Sequence, residues 1–357
     1  MTFRRNVLKA VGGGSVSLTV AKTGSALPDN EKRLPVVKRG GEIIKTQSVP
    51  EDWWEHERHI IKLKNNLKDE YKYESGISSV GISNSEEKIG PLKKSKLHIR
   101  VREDAKKDPS ANPMSVLPER IDGEKIDVIE YSGVDNHNCS RDNYCDSNEY
   151  NSLGGGARLD SNHSSFGYVI KDLDPVLMCS AHAITCAHVC PDYTLEHKGK
   201  VVGQVTDLDP DQDWATVEIT SDSEMDFSGK IHGTNRPISG HVTQEGLHVL
   251  KSDGETVYKR GAKTCKTSGE VSGYDEYLPD GYSTDCEGDD IYVHFTTCTD
   301  SGDSGSPHYR EYTDSIGVKR AAVIAPHKGS VGDTSVGCAA YRIANKHSVE
   351  FDQPSRA

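Results

Sequence analysis

The chain has 357 residues, 34% hydrophobic and 27% charged, with a formal net charge of −12; this supports at least one core, and length alone suggests two or three domains. No apolar run approaches the roughly 18 residues of a membrane-spanning helix, so stable membrane insertion is not expected. The acidic surplus also argues against a nucleic-acid partner, because phosphate binding draws on Lys and Arg.

The charge is unevenly spread. Residues 1–131 carry 24 basic and 20 acidic side chains, whereas residues 132–357 carry 19 and 35. The change near residue 131 suggests a domain boundary. An acidic surface of this size aids solubility, and it also suits a salt-loving organism. All nine cysteines lie after residue 138, which fits an exported, disulfide-bearing domain better than a reducing cytosol. Their odd number leaves at least one thiol unpaired within the chain or paired between chains.

In chain order, "MTFRRNVLKAVGGGSVSLTVAKTGSALP" opens with Arg4 and Arg5 ahead of a weakly apolar, Gly-rich stretch. A positive end, a short apolar middle and small residues at the exit are the parts of an export address. Arg-Arg-x-Val-Leu-Lys resembles a twin-arginine signal, which implies residues 1–27 as signal peptide and an extracellular protein; an ordinary basic terminus is the alternative. Residues 28–48 read as a linker. "PEDWWEHERHIIKLKNNLKDEYKYE" predicts an amphipathic helix, with Trp53, Ile60, Leu63, Leu67 and Tyr71 on one face. "KLHIRVR" alternates as a half-buried strand, and "RIDGEKIDVIEY" gives two short strands about Asp122-Gly123. Residues 28–131 therefore form a small α+β unit, either a removable propeptide, a folding aid or a permanent domain. Residues 132–153 are polar and turn-rich, a second linker in which Cys139 and Cys145 are placed to close a small loop. From Gly154 onward, short β-type runs ("FGYVI", "KVVGQV", "WATVEI", "ETVYKR", "DIYVHF", "KRAAVIA") alternate with Gly, Asp, Asn and Ser clusters. That punctuation predicts an all-β sandwich or barrel, with no long helix before Ala339.

Three segments carry chemistry. "AITCAHVC" places His188 at the end of an apolar strand; imidazole, with an ordinary pKa near 6.5, is the usual base that removes a serine proton near neutrality. "DPDQDWATVEI" places Asp213 directly before an alternating strand, where a carboxylate accepts an imidazole N–H and fixes its tautomer. "TDSGDSGSP" places Ser304 between Gly302 and Gly305. Gly302 lets the backbone turn so that its own N–H and that of Ser304 face an oxyanion, and Gly305 lets the chain pass close behind.

Taken together, in the order His188, Asp213, Ser304, the segments resemble the chymotrypsin/trypsin-like serine proteases, bacterial-type branch. "ITCAHVC" is similar to that family's Thr-Ala-Ala-His-Cys, with Cys186 for Ala and one residue inserted before Cys190. "GDSGSP" is similar to Gly-Asp-Ser-Gly-Gly-Pro, with Ser306 for Gly. "VYKRGAKTCKTSGEVSG" resembles a strand pair of the bacterial branch. The resemblance covers about residues 154–346, with 347–357 as a tail.

What the resemblance implies is a fold of two six-stranded antiparallel Greek-key barrels, here preceded by the α+β unit, with the site in the crevice between them. The implied activity is peptide-bond hydrolysis on protein or peptide substrates, with no cofactor or metal. Ser304 is the implied nucleophile, His188 the base, Asp213 its orienting acid, and the N–H groups of Gly302 and Ser304 the oxyanion hole. Asp303 is implied to turn inward. No Ile-Val-Gly-Gly stands at the domain start, so its expected partner is Lys259 or Arg260, and Asp300 is expected to stay solvated. The implied disulfides are Cys298–Cys338, Cys265–Cys286 and Cys179–Cys190. Thr296 and Thr297 stand where trypsin carries its pocket acid, so an Arg/Lys preference by that route is not expected. His327 and Lys328 in "VIAPHKG" either point to solvent or form a cationic pocket edge that favours acidic side chains. Two alternatives stay open: an inactive binding protein that keeps the fold, and a metal site made of Cys179, His182, Cys186, His188 and Cys190.

Overall fold

The computed structural model describes residues 30–103, 105, 113, 116–131, 145, 152–155, 176–179, 194–197, 199–209, 214–218, 226–277, 291–347 and 350–351. The chain begins with a hairpin, β1 (Glu31–Arg39) and β2 (Glu42–Pro50), followed by α1 (Glu51–Tyr71), β3 (Ile77–Ile89), β4 (Leu92–Arg102), β5 (Arg120–Ile121) and β6 (Glu124–Tyr131). Short strands follow: β7 (Ser152–Gly155), β8 (Val176–Cys179), β9 (Thr194–His197), β10 (Lys200–Asp209), β11 (Trp214–Glu218), β12 (Asp226–Ile231) and β13 (Ile238–Val242). After α2 (Gln244–Asp253) come β14 (Val257–Gly261), β15 (Cys265–Gly269), β16 (Val271–Tyr277) and β17 (Ile291–Phe295). The last elements are β18 (Pro307–Thr313), β19 (Lys319–Pro326), β20 (Gly329–Val331), β21 (Thr334–Cys338) and α3 (Ala340–His347).

The chain is mostly β, with two large antiparallel-rich sheets, consistent with the two-barrel class expected after an α+β unit. One sheet has seven strands in the order β15-β14-β18-β19-β13-β1-β2, the other eight in the order β20-β21-β17-β16-β3-β4-β6-β5. A separate four-stranded sheet runs β8-β11-β10-β9. Strands of the N-terminal α+β unit thus extend both large sheets. β1 pairs antiparallel with β13 through Val37 and Val242, and β3 pairs antiparallel with β16 from Ser83↔Gly273 to Ser79↔Tyr277.

The predicted helix is α1. Its face of Trp53, Ile60, Leu63, Leu67 and Tyr71 is buried, because the spacing of three, four and seven places these side chains on one stripe. Ile60, Leu63, Leu67 and Tyr71 share one core with Val80, Ile82, Leu97 and Ile99 of β3 and β4 and with Val293, Phe295 and Ile324 of β17 and β19, while Trp53 packs in a second cluster with Leu34, Val49, Leu92 and Val249. Of residues 28–48, expected as linker, those from Glu31 onward belong instead to the β1–β2 hairpin; Leu34, Val36 and Val37 are buried, and Gly40 and Gly41 turn the chain at φ 55° and 82°. The turn at Asp122 and Gly123 has φ 48° and 86°, the paired positive values that an Asp-Gly hairpin turn uses. Helix α2 was not expected. Thr243 caps it, its Oγ1 accepting from the Gly246 N–H at 2.9 Å, and Gly254 ends it at φ 67°. All its residues from Gly246 to Ser252 are buried, the polar His248, Lys251 and Ser252 among them.

Candidate active site

Ser304 lies in the loop between β17 and β18. The loop is a pair of tight turns: the Asp303 N–H donates to the Asp300 carbonyl at 3.0 Å, and the Ser306 N–H to the Asp303 carbonyl at 2.8 Å. Gly302 and Gly305 hold φ values of 102° and 84°, a region that residues with a Cβ rarely enter. The Gly305 N–H donates to the His327 carbonyl and the His327 N–H to the Ser306 carbonyl, both at 2.8 Å. The loop is therefore pinned against the end of β19. Ser304 itself is half-buried, while its neighbours Asp303, Gly305 and Ser306 are buried.

Asp303 turns inward. Its Oδ2 pairs with the Lys259 ammonium, both groups fully buried, and accepts from the Thr264 hydroxyl at 2.6 Å. Its Oδ1 accepts from the N–H groups of Lys263 and Thr264 at 2.9 and 3.0 Å. Burial raises the Asp303 pKa, but the charge and hydrogen bond of Lys259 and the bonds from Thr264 outweigh it and hold the carboxyl below its usual range. Lys259 is lowered by burial and partly restored by Asp303. Gly261 makes room for the carboxylate: a Cβ there would stand 2.1 Å from Asp303 Oδ1. Of the two expected partners, Lys259 reaches Asp303, whereas Arg260 donates to the carbonyls of Gly261 at 2.6 Å and His232 at 3.3 Å. Asp300, expected to be solvated, is buried, because its own N–H lies 3.2 Å from Asp303 Oδ2 in the same turn.

The wall behind the loop is rich in imidazole. The His308 ring stacks on Phe295 with centroids 3.9 Å apart, and its Nε2 lies 3.3 Å from His327 Nδ1. His327 Nε2 in turn meets the Thr299 hydroxyl. Burial, then the neighbouring His327 and Lys259, push His308 well below the ordinary imidazole pKa, so it is neutral near neutrality. His327 and Lys328 are both buried, which removes the solvent-facing reading. The Lys328 ammonium donates to the Tyr292 hydroxyl at 3.1 Å and sits 4.6 Å from that ring's centroid. Thr297 Oγ1 and Ser335 Oγ lie 2.6 Å apart, and Thr296 Oγ1 accepts from the Glu270 N–H. His308 went unnoticed in the sequence; its place on a strand four residues after Ser304 was the available signal. Thr264 gave no signal, since only the hairpin turn brings it to Asp303.

His188 and Asp213 lie outside the described residues, as do Cys186, Cys190, His182 and Cys286. The strand expected after Asp213 is present as β11, paired with β8 and β10. The pairing Cys179–Cys190, and the Cys/His metal reading of the same stretch, also fall outside them. Three expected pairings are corrected. Cys265 is bonded to Cys145, with Cα atoms 5.4 Å apart, so Cys265 does not pair with Cys286 and Cys145 does not close a loop with Cys139. The reason is local: the Cys145 N–H donates to the Ala262 carbonyl at 2.9 Å, which lays residue 145 on the turn between β14 and β15. Cys298 is disulfide-bonded, but not to Cys338, which is a buried thiol.

No family model matches the sequence, and no curated protein does. Solved structures similar to the chain include Thermobifida fusca protease A (15% identity, TM-score 0.39), covering 56% of this chain and 97% of that one. Another is Cellulomonas bogoriensis chymotrypsin (14% identity, TM-score 0.38), covering 56% of this chain and 97% of that one. A third is a glutamic acid-specific serine protease with a histidine triad in substrate binding (14% identity, TM-score 0.35), covering 56% of this chain and 99% of that one.

Proposed function

We propose that the protein is an exported serine endopeptidase with Ser304 as its nucleophile. The observation that carries this reading is the turn at 300–306. Asp303 is drawn into the interior by Lys259 and Thr264, and two positive-φ glycines flank the next residue. The chain thus holds Ser304 at the apex of a rigid turn with the neighbouring side chains buried. A serine hydroxyl is a poor nucleophile unless a base and oxyanion donors are placed beside it. By the resemblance to the chymotrypsin-like proteases, the N–H groups of Gly302 and Ser304 are assigned to the oxyanion.

In this mechanism Ser304 Oγ attacks the scissile carbonyl and gives its proton to His188, which Asp213 orients. The carbonyl oxygen becomes the oxyanion. His188 returns the proton to the leaving amine, and the acyl group stays on Ser304. Water then attacks with His188 again as base, releasing the carboxylic acid and regenerating Ser304. Export into an oxidising compartment, with residues 1–27 as the signal, suits the Cys145–Cys265 disulfide. His327, bonded to the Ser304 loop, and Lys328 next to it in the chain favour substrates with an acidic side chain before the scissile bond.

Labelling with a fluorophosphonate tests the nucleophile: the folded wild type takes one label, and Ser304→Ala takes none. A folded wild type that takes no label overturns the enzyme reading, and stoichiometric zinc in the purified protein overturns the triad. In the same assay, peptides with Glu or Asp before the scissile bond are expected to be cleaved at least tenfold faster than those with Lys or Phe. Equal rates remove the acidic preference alone.

A further inference from the structure

We infer that residues 31–131 are a permanent part of the working protein, not a propeptide removed on activation. The inference goes beyond the Ser304 chemistry and does not depend on it. It rests on how charges cross the junction between this unit and the rest of the chain.

Three buried carboxylates sit at the junction, and each is held by cations from the opposite side. Glu57 of α1 accepts from His248 Nδ1 of α2 at 2.9 Å and lies 3.7 Å from the Lys251 ammonium, all three fully buried. The Ser95 N–H and hydroxyl of β4 complete the Glu57 shell at 3.0 and 2.6 Å, and the Tyr274 hydroxyl closes on His248 Nε2 at 2.9 Å. Asp275 and Glu276, consecutive on β16, project to opposite sides of the strand. Asp275 pairs with His98 and Arg100 of β4, and with His294 of β17 at 2.8 Å. Glu276 pairs with Lys64 and Lys68 of α1. Gly81 of β3 lies against the first group so closely that a Cβ there would stand 1.9 Å from Asp275 Oδ1.

The reciprocity matters. Removing residues 31–131 would strand Asp275 and Glu276 without their N-terminal cations, and Lys251 and His248 without Glu57. An unpaired charge left in a dry interior is strongly destabilising. Removal would also open the β13 and β16 edges, which now bond to β1 and β3, and exposed edges invite aggregation. Both effects set a cost on removing the unit from the folded chain. The unit is also linked toward the candidate site through one residue of the remainder: its His98 and Arg100 pair with Asp275, which contacts His294 on β17, the strand that runs into the Ser304 loop.

The test uses the full chain carrying Ser304→Ala, so that self-cleavage is absent, with the recognition sequence of a specific protease inserted between Gly133 and Val134. This cut lies ahead of the Cys145–Cys265 bond. After cutting, the two pieces are expected to co-elute at the size of the uncut chain and to part only in denaturant. Departure of residues up to 133 under native conditions, leaving a folded remainder, overturns the inference. Intact mass of the folded wild type gives a second, insertion-free reading: the folded species is expected to contain residues 31–131, joined or nicked, and a mature form lacking them overturns it. Failure of the folded wild type to take the fluorophosphonate label, with the cut Ser304→Ala pieces still together, speaks against Ser304 alone.

Discussion

At the scale of single residues, the Ser304 turn depends on a carboxylate kept charged where burial opposes it. Asp303 stays ionised because Lys259 stands fully buried beside it. Lys259→Met leaves that carboxylate without its cation. Removing one partner of a buried pair costs about 3–5 kcal/mol, so a loss of this size is expected in urea unfolding, with hydrolysis falling along with it. Full stability and activity in Lys259→Met would remove Lys259 from the site. Arg260, one residue on, reaches the carbonyls of Gly261 and His232 and not Asp303, so its replacement by Met is expected to leave the Asp303–Lys259 pair in place. The contrast was not available from sequence, because adjacent strand residues point to opposite faces and only the sheet decides which face Asp303 meets.

At the scale of elements, α2 is held by closeness to β1. A Cβ on Gly246 would stand 2.4 Å from the Val36 carbonyl, a backbone atom that cannot swing away. Gly246→Ala is therefore expected to destabilise by about 1–3 kcal/mol through overpacking, although alanine is the better helix former. A stabilised variant by thermal unfolding would show that α2 does not pack on β1 this closely. The same glycine explains why α2 was not legible. Glycine at the third of only ten positions argues against a helix, and its polar side, His248, Lys251 and Ser252, is buried and not solvated. Helix α1 was legible for the opposite reason, since its exposed and buried faces differ.

At the scale of the whole molecule, the buried junction makes stability depend on acid. Burial works against the Glu57 carboxylate, but Lys251, His248 and Ser95 prevail and lower its pKa to about 2 from an ordinary 4.5. As pH falls, the unfolded chain takes up this proton first, so the contribution of Glu57 is complete above pH 4.5 and lost between there and about 2. From pH 6 to 3 this amounts to about 2 kcal/mol. His241 adds an earlier window: burial, with the Lys38 charge second, lowers its pKa to about 4 from 6.5, so stability falls from pH 6.5 downward as the unfolded chain protonates. Urea titrations at pH 7, 5 and 3 are expected to show both losses. Glu57→Gln is expected to be less stable at pH 7 and to lose about 2 kcal/mol less than wild type between pH 6 and 3. An unchanged slope in the variant would remove Glu57 from the junction's charge balance.

The sequence by itself determined what depends on near neighbours. The stripe of α1, the alternation of β4, the Asp-Gly turn before β6, the run of short strands and the glycine-flanked Ser304 are all set by periodicity or by backbone freedom over a few residues. The tertiary structure alone decided the rest: that residues 31–50 are a hairpin in a shared sheet, that Cys145 meets Cys265, and that the N-terminal unit and the remainder exchange buried charges. These contacts join positions far apart in the chain, 44 residues for Lys259 and Asp303 and 212 for Lys64 and Glu276. An isolated lysine or glutamate reads as a solvated side chain; only the packing of both sheets on one core supplies the partner that lets it be buried.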